Sequence, residues 1–358
     1  MLIFIGYNTY TAIKKGGVFI KTSSVLVGTG AYLPDFVVGN DMFKQTVETS
    51  DEWIFSRTGI KERRIEQNKY TFEMIGEACK GALANSGVAP GELDMIIVST
   101  TTPDYNYPST ACLVNNYIGA GSAMSFDISA ACEGFVFALD IADGYIKSGK
   151  AKNVLVASGD SLHRILDYFD RTNCILFGDG AGAVVVSARE VSEGEECGIL
   201  ASFTACECDG QKPYYISQSL HEPGEVFDST TKQFKGNAEK LHNSYVSQNG
   251  REVLQFVSRI LPKALDEVLS MADKNMSDLK YLILHQANKR IIDHVIEKYG
   301  IDPKKVPMSI EKYGNTSSST IPILLHELCV SGKLQKGDLI AVSGFGSGFG
   351  YGAAVIRW

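Results

Sequence analysis

The sequence predicts an α/β fold made of two copies of one strand–helix unit. Short apolar runs rich in β-branched residues alternate with helical patterns, which is typical of layered α/β proteins with mainly parallel strands. The motif Ser-Gly-Lys ends helical patterns at 148–150 and 331–333, and each is followed by a strand and a Ser-Gly pair, at 158–159 and 343–344. The strand LDMIIVS at 93–99 also matches LKYLILH at 279–285. Three matching features in the same order indicate an internal duplication.

The individual elements follow from periodicity and boundary residues. Continuous apolar runs predict buried strands at 93–99, 153–157, 183–186, 279–284, 338–342 and 353–356. Apolar residues at helical spacing predict helices at 71–85, 110–118, 134–148, 252–272, 289–299 and 320–331. A polar stretch near 187–198 separates the two copies. We therefore expect an N-terminal extension at 1–21, a first half at 22–190 and a second half at 191–358.

Composition and charge narrow the class of protein. The chain has 358 residues, 44% apolar and 21% charged, which excludes a disordered or coiled-coil chain. No run approaches the ~18 apolar residues of a membrane helix, and the N-terminal apolar run precedes its lysines, unlike a secretory signal. A net charge of −7 argues against general nucleic-acid binding, and eight cysteines are too few for a disulfide scaffold. We expect a cytoplasmic protein with reduced thiols and no membrane or nucleic-acid partner.

Cys132 is the candidate nucleophile. It follows small residues and precedes a long amphipathic helix, in the order strand, tight turn and helix N-terminus. Unpaired N–H groups and the helix dipole at such a position favour the thiolate, so we expect a lowered thiol pKa. Most cysteines are inert and buried, and Cys79, Cys112, Cys174 and Cys329 fit that alternative because they lie inside apolar patterns.

Two further polar residues complete a candidate active site. His285 leaves the carboxyl end of an apolar strand, where α/β proteins place ligands, although a lone histidine is more often structural. Asn315 lies 16 residues before Ser331, as Cys132 lies 16 residues before Ser148, so the duplication predicts a thiol and an amide at equivalent helix starts. Asn315 also suits a helix N-cap. If the halves pair about a pseudo-twofold axis, both side chains point into one central site.

The alternating glycines at 344–352 follow a strand. A terminal strand comes next instead of a helix, which argues against a dinucleotide-binding loop. We expect a loop whose backbone passes close to a reacting group and whose N–H groups stabilise an oxyanion.

The cysteines at 197, 206 and 208, with His221 nearby, are candidates for metal ligands. Cys197, Cys206 and Cys208 lack the spacing of a usual zinc site, so we predict no bound metal.

Thiol, imidazole and carboxamide suit two classes of chemistry. A thiolate can take an acyl group from a thioester, and a neutral His N–H with an Asn NH₂ can stabilise the enolate formed when a malonyl thioester loses carbon dioxide. The carbanion would then attack the acyl group on Cys132, with no metal or redox cofactor. The same residue types also suit a cysteine hydrolase of thioesters. The duplication favours condensation because it sets Asn315 and His285 around a second ligand that faces the cysteine.

The motifs resemble β-ketoacyl-acyl-carrier-protein synthase III, a family of thiolase-like condensing enzymes, over about residues 22–358. The resemblance is carried by Gly-Thr-Gly-Ala-Tyr-Leu-Pro (28–34), residues 49–60, Thr-Thr-Thr-Pro-Asp (100–104), the Cys132 turn, Phe-Gly-Asp-Gly-Ala-Gly (177–182), His-Gln-Ala-Asn (285–288) and Gly-Asn-Thr (314–316). It implies a five-layered α-β-α-β-α fold and a homodimer. It also implies condensation of an acyl-coenzyme A with malonyl-acyl-carrier protein, which initiates fatty-acid synthesis.

The resemblance also implies roles for individual residues. Cys132 would be the nucleophile, and His285 with Asn315 the decarboxylation pair. The remaining roles would be coenzyme A binding by Trp53, Arg57 and Arg171, the acyl-pocket wall from Phe177 and Phe345, the oxyanion hole from the backbone N–H groups of Cys132 and Ser347, and docking of the acidic carrier protein by Lys289 and Arg290. No cofactor is implied besides the coenzyme A thioester, which is a substrate.

Three features depart from the family pattern. Glu133 replaces the small residue that usually follows the cysteine, and its charge would raise the thiol pKa if it faced Cys132. Gly350-Tyr351 replaces a typical Thr-Trp pair, and residues 206–244 match poorly. Related chemistries therefore stay open, namely a specialised acyltransferase or condensing enzyme for secondary metabolites or surface glycans, or a chalcone-type synthase. A thiolase would need a second cysteine near the C-terminal glycine loop, and residues 343–352 contain none.

Overall fold

Two mixed β-sheets, one from each half of the chain, form the centre of the protein. The computed structural model describes residues 13–15, 18–192, 194–208, 210, 214–218, 227–228, 233–234 and 245–358. The first half contains β1 (Ile13–Lys15), β2 (Val18–Tyr32), β3 (Val37–Gly39), α1 (Asp51–Thr58), β4 (Glu62–Arg64), α2 (Thr71–Ser86), β5 (Met95–Ser99), α3 (Thr110–Ile118), β6 (Met124–Ile128), α4 (Gly134–Lys147), β7 (Asn153–Asp160) and β8 (Gly180–Ser192). The second half contains β9 (Gly198–Cys206), β10 (Ile216–Ser217), β11 (Phe227–Asp228), β12 (Gln233–Phe234), β13 (Ser247–Gln248), α5 (Gly250–Met271), β14 (Tyr281–Leu284), α6 (Lys289–Tyr299), α7 (Ile310–Tyr313), α8 (Thr320–Val330), β15 (Leu339–Phe345) and β16 (Gly350–Arg357).

The two sheets share one topology, which confirms the predicted duplication. The first sheet has the order β1-β2-β8-β7-β5-β6, and the second has the order β9-β16-β15-β14. The pairs β5·β7 and β14·β15 are parallel, whereas β7·β8, β2·β8, β15·β16 and β9·β16 are antiparallel. Thus β2, β8, β7 and β5 correspond one by one to β9, β16, β15 and β14. Helix α4 precedes β7 as α8 precedes β15.

Helices cover both faces of each sheet and give the five layers α-β-α-β-α. Helices α2 and α3 pack on the outer face of the first sheet, and α5 and α6 on the outer face of the second. Helices α4 and α8 lie between the sheets, where Phe135, Leu139, Ile321 and Leu325 are fully buried. Strands buried on both faces read as continuous apolar runs, which is why the sequence reveals them. The middle layer places the starts of α4 and α8 at the centre of the molecule.

Three long elements were not foreseen in the sequence. Strand β2 contains glycines that weaken its strand pattern, but they are required because a Cβ atom on Gly30 would lie 2.1 Å from the carbonyl oxygen of Ala78 in α2. Helix α1 and strand β9 lack a strong apolar periodicity because each buries only part of its surface. Strands β1 and β2 begin inside the predicted extension, of which residues 1–12 and 16–17 lie outside the described residues. In the part of the chain that the structure describes, none of the helices combines the length and apolar character needed to span a bilayer.

Candidate active site

Cys132 sits in a strained turn at the start of α4. The turn spans Ala131–Glu133, and Ala131 has a φ of +41°, a conformation that a residue with a side chain rarely adopts. Gly134 lets the turn approach β5, because a Cβ atom there would lie 1.9 Å from Ser99 Oγ. The Cys132 thiol is 3.7 Å from Ser317 Oγ, to which it donates a hydrogen bond. The turn therefore aims the sulfur across the middle layer at the segment that precedes α8.

The expected lowering of the thiol pKa is wrong. Burial, followed by the charge of the neighbouring Glu133, raises the pKa of Cys132 to about 12. The N-terminal end of α4 favours a thiolate, but desolvation of a buried anion outweighs a dipole effect that acts within one turn. The resting thiol is therefore neutral, and its activation needs a group that takes the proton.

The expectation that Cys112 is buried is also wrong, because Cys112 is exposed.

Glu133 turns inward beside Cys132. It is 2% exposed, and its Oε2 has no hydrogen-bond partner among the described residues. The carboxyl lies against the glycine loop, since a Cβ atom would meet Glu133 oxygens at 2.1 Å on Gly346 and at 2.0 Å on Gly350. Burial raises the pKa of Glu133 well above 4.5. The two departures from the family pattern, at positions 133 and 350, are thus in direct contact.

His285 is buried and neutral. It is 1% exposed, and burial lowers its pKa to about 3. Its Nδ1 lies 2.7 Å from Thr320 Oγ1, which also accepts the Gln286 N–H at 3.3 Å. This arrangement favours donation from the Thr320 hydroxyl to Nδ1, which leaves the ring proton on Nε2. The Phe345 ring packs edge-on against the imidazole, with ring centroids 5.3 Å apart.

Asn315 is held from three sides. Its N–H donates to the Leu176 carbonyl at 2.9 Å, and its carbonyl accepts from the Gly178 N–H at 3.0 Å, so Phe177 lies alongside it. The Asn315 Oδ1 accepts the Ser317 N–H at 2.8 Å. With its oxygen engaged in this way, the carboxamide keeps its NH₂ group for an additional acceptor.

The segment 315–320 joins the three predicted residues. Its first residue is Asn315, its third, Ser317, accepts from Cys132, and its last, Thr320, orients His285. This segment begins α8 as the Cys132 turn begins α4, so the duplication brings both helix starts together as expected. Ser317 and Thr320 were missed in the sequence, although the polar run Asn-Thr-Ser-Ser-Ser-Thr before an apolar helix marks the segment.

The glycine loop passes next to the Cys132 backbone. A Cβ atom on Gly346 would lie 2.8 Å from Cys132 N. Neither the Cys132 N–H nor the Ser347 N–H donates to a neighbouring group within the described residues. Unpaired N–H groups this close to a thiol are suited to an oxyanion. Gly346 and Gly350 keep the loop near the turn because no side chain separates them from it.

The three residues predicted to bind coenzyme A form one cluster at the surface. The Arg57 and Arg171 guanidinium carbons lie 5.7 Å and 4.8 Å from the centre of the Trp53 ring. Arg171 also donates to the Glu48 carbonyl at 2.8 Å. An indole ring flanked by two guanidinium groups can stack on an aromatic base and hold phosphates nearby.

The two residues predicted to dock the carrier protein differ in whether their charge is already paired with a carboxylate. Lys289 pairs with Asp293, its Nζ lying 2.6 and 2.7 Å from the two carboxylate oxygens. Arg290 is exposed, and its guanidinium has no ion-pair partner within the described residues. Both lie at the start of α6, which packs against α1. A carrier protein docked there would lie near the Trp53 cluster.

The cysteine group at 197–208 does not form a metal site in the part of the chain that is described. No set of three or more His, Cys, Asp or Glu side chains there is positioned to hold a metal ion. His221 lies outside the described residues.

Comparison with known proteins identifies the family. Residues 126–208 match the family described as 3-oxoacyl-(acyl-carrier-protein) synthase III, and residues 269–358 match the C-terminal part of the same family. The chain is 40% identical over 333 residues to the β-ketoacyl-(acyl-carrier-protein) synthase III of Clostridium acetobutylicum, covering 93% of this chain and 98% of the relative. It is 43% identical to that of Aquifex aeolicus, covering 93% and 99%. The crystal structure of the Aquifex aeolicus enzyme covers 94% of this chain and 100% of its own, with a TM-score of 0.83 and 42% identity.

The duplicated five-layered fold defines a thiolase-like condensing enzyme, in which a segment before α8 contacts a cysteine of the first half and a histidine and an asparagine of the second. Identity of 40% over almost the full length of the relatives narrows the assignment further. The chain belongs to the β-ketoacyl-(acyl-carrier-protein) synthase III family.

Proposed function

We propose that the protein is a 3-oxoacyl-acyl-carrier-protein synthase III that initiates fatty-acid synthesis. It condenses an acyl-coenzyme A, acetyl-coenzyme A or a similar primer, with malonyl-acyl-carrier protein and releases carbon dioxide and coenzyme A. The observation that carries this proposal is the segment 315–320, which contacts the Cys132 thiol, the His285 imidazole and the Asn315 carboxamide. A protease-like arrangement would need the Cys132 thiol to donate to His285, whereas the thiol donates to Ser317 Oγ.

The first half-reaction transfers the acyl group to Cys132. The Trp53, Arg57 and Arg171 cluster binds the nucleotide end of coenzyme A, and the thioester reaches Cys132. The sulfur attacks the thioester carbonyl, and the backbone N–H groups of Cys132 and Ser347 stabilise the oxyanion. Phe177 and Phe345 wall the pocket for the acyl chain. The product is an acyl-cysteine, itself a thioester, and free coenzyme A.

The second half-reaction removes carbon dioxide and forms the carbon–carbon bond. His285 Nε2–H and the Asn315 NH₂ donate to the thioester carbonyl of the malonyl group. As the carboxylate leaves, the negative charge that moves onto this oxygen is stabilised by the two donors. The enolate carbon then attacks the acyl group on Cys132. Because the thioesters carry all reacting groups, no metal or redox cofactor takes part.

Carrier-protein docking is assigned mainly to Arg290. An acidic carrier protein is attracted by a local positive group even where the whole chain carries −7. Arg290 is free to meet it, whereas Lys289 would first have to leave Asp293.

We also propose a homodimer. Strand β6 ends the first sheet, and its residues Met124–Ile128 are all partly exposed, so the edge is open to a second copy. We assign the reaction to the cytoplasm, where thiols stay reduced.

The proposal is tested with purified protein, acetyl-coenzyme A and malonyl-acyl-carrier protein. Mass spectrometry should detect 3-oxoacyl-carrier protein, and intact-protein mass should show an acetyl adduct that is lost in Cys132→Ser. His285→Ala and Asn315→Ala should keep the adduct and lose carbon dioxide release. Cleavage of the acyl thioester without a new carbon–carbon bond would instead identify a thioester hydrolase and overturn the proposal.

A further inference from the structure

The glycine loop contains a residue whose backbone conformation is costly. Strands β15 and β16 are joined by a turn that includes Ser347–Phe349. Gly348 has a φ of +74°, which glycine adopts readily, but Phe349 has a φ of +53°, which a residue with a side chain rarely adopts. Such a residue keeps its conformation only where the surrounding structure holds it. The contacts of Phe349 therefore show what fixes the loop.

Helix α5 holds the Phe349 side chain. The Phe349 and Phe256 rings are stacked, with centroids 3.8 Å apart and an angle of 14° between their planes. The Tyr215 ring also packs against Phe349, with centroids 5.5 Å apart. Phe256 and Phe349 are 4% and 2% exposed. Because both rings are excluded from water, moving Phe349 out of this site would expose apolar surface.

The same turn of α5 holds the Phe349 backbone. The Phe349 carbonyl accepts a hydrogen bond at 3.0 Å from the N–H of Glu207, which directly follows β9. Arg259 donates to both Glu207 carboxylate oxygens, at 2.7 and 2.6 Å. Phe256 and Arg259 are three residues apart, so they lie on the same side of α5. One turn of this helix therefore contacts the Phe349 ring directly and the Phe349 carbonyl group through Glu207.

Other contacts of the loop leave the Ser347 N–H available. The Ser347 hydroxyl donates to the Ile216 carbonyl, and the Gly348 carbonyl accepts from the Cys208 thiol at 3.2 Å. Neither contact uses the Ser347 N–H. Because only Gly348 separates Ser347 from Phe349, a shift of Phe349 would change where this N–H points.

We propose that Phe256 and the Glu207–Arg259 ion pair are positioning residues for the oxyanion hole. They keep Phe349 in its left-handed conformation and thereby hold the Ser347 N–H in place for the acyl oxyanion. Oxyanion donors are effective when they are fixed before the reaction, because reorienting them would cost part of the energy that they supply. The inference rests on the proposed acyl transfer, and it adds α5 to the parts of the chain that determine its rate.

The test compares two reactions of Cys132, of which only one forms an oxyanion. Acetyl-coenzyme A acylates the thiol through a tetrahedral oxyanion, whereas iodoacetamide alkylates it by displacement at a saturated carbon. Both reactions are followed by intact-protein mass in a single turnover, the first over a range of acetyl-coenzyme A concentrations. The variants are Phe256→Leu and Arg259→Gln. Their controls are Phe72→Leu in α2, whose ring also stacks on a tyrosine, and Arg251→Gln, an exposed arginine at the start of α5.

The expected effect is a slower acylation step with unchanged binding. Removing one oxyanion donor lowers a rate about 100–1,000-fold, so a displaced donor should cost part of that. We expect the maximum acylation rate to fall about tenfold in Phe256→Leu and about threefold in Arg259→Gln, with the half-saturating acetyl-coenzyme A concentration within about twofold of wild type. Alkylation rates, and both rates in the controls, should stay within about twofold. Unchanged acylation in both variants, or an equal loss of acylation and alkylation, would overturn the proposal.

Amide hydrogen exchange separates failure of this inference from failure of the proposed function. It is measured without substrate on the peptides that cover residues 345–351. Exchange should be faster than in wild type in Phe256→Leu and Arg259→Gln and unchanged in the two controls, and equal exchange in all proteins would contradict the positioning role. A wild-type protein that is alkylated at Cys132 and never acylated by acetyl-coenzyme A would overturn the proposed function, while the exchange rates would still decide whether α5 holds the loop.

Discussion

Replacing Gly350 by alanine tests whether Glu133 fills the space that a side chain would take at position 350. An added Cβ atom would lie 2.0 Å from Glu133 Oε1, 2.8 Å from its Cδ and 3.1 Å from its Cγ. The carboxyl cannot retreat easily, because it is buried and also lies against Gly346. Overpacking of this kind costs about 1–3 kcal/mol. We expect Gly350→Ala to lower the free energy of unfolding by about 2 kcal/mol.

The same substitution should be nearly harmless once Glu133 is shortened. In a Glu133→Ala background the new methyl group enters the space that the carboxyl has left, so we expect a loss below about 0.5 kcal/mol. The assay is urea unfolding of the wild type, both single variants and the double variant. Gly91→Ala serves as the control because no atom lies within 4 Å of its added Cβ. An equal loss from Gly350→Ala in both backgrounds would refute the contact between the two positions.

Three further predictions concern charge. Glu133→Gln should gain stability relative to wild type as pH rises above about 4.5, because folded Glu133 keeps a proton that the unfolded chain releases; urea unfolding from pH 5 to 8 measures this, and a constant difference would contradict it. Since burial lowers the pKa of His285 to about 3, carbon dioxide release should show no histidine titration between pH 5 and 8, and an inflection near 6.5 would count against a neutral imidazole. Arg290→Glu should raise KM for the carrier protein about tenfold without slowing acylation, whereas the exposed Lys298 at the other end of α6 should tolerate the same change.

Much of the fold was predictable because the spacing of apolar residues and the residues at element ends are local features of the sequence. Helices α3 and α6 have the predicted bounds, 110–118 and 289–299, since their apolar spacing and the glycines that follow them mark both ends. Strand β2 was not predicted, since its glycines lower strand propensity and are explained only by the approach of α2. In the candidate active site, Cys132 shows the same difference between what the sequence predicts and what the folded chain decides. The sequence locates Cys132 at a helix start, but the direction of its pKa shift depends on how completely the folded chain removes it from water.

The order of residues alone indicated the duplication, the candidate nucleophile Cys132 and its predicted partners His285 and Asn315, because each depends on spacing within one half or between equivalent positions. Only the tertiary structure decided that Glu133 turns inward against Gly350 and that Ser317 accepts the hydrogen bond of the Cys132 thiol. These contacts join residues far apart along the chain. Their energies come from desolvation and close packing, which no local pattern encodes.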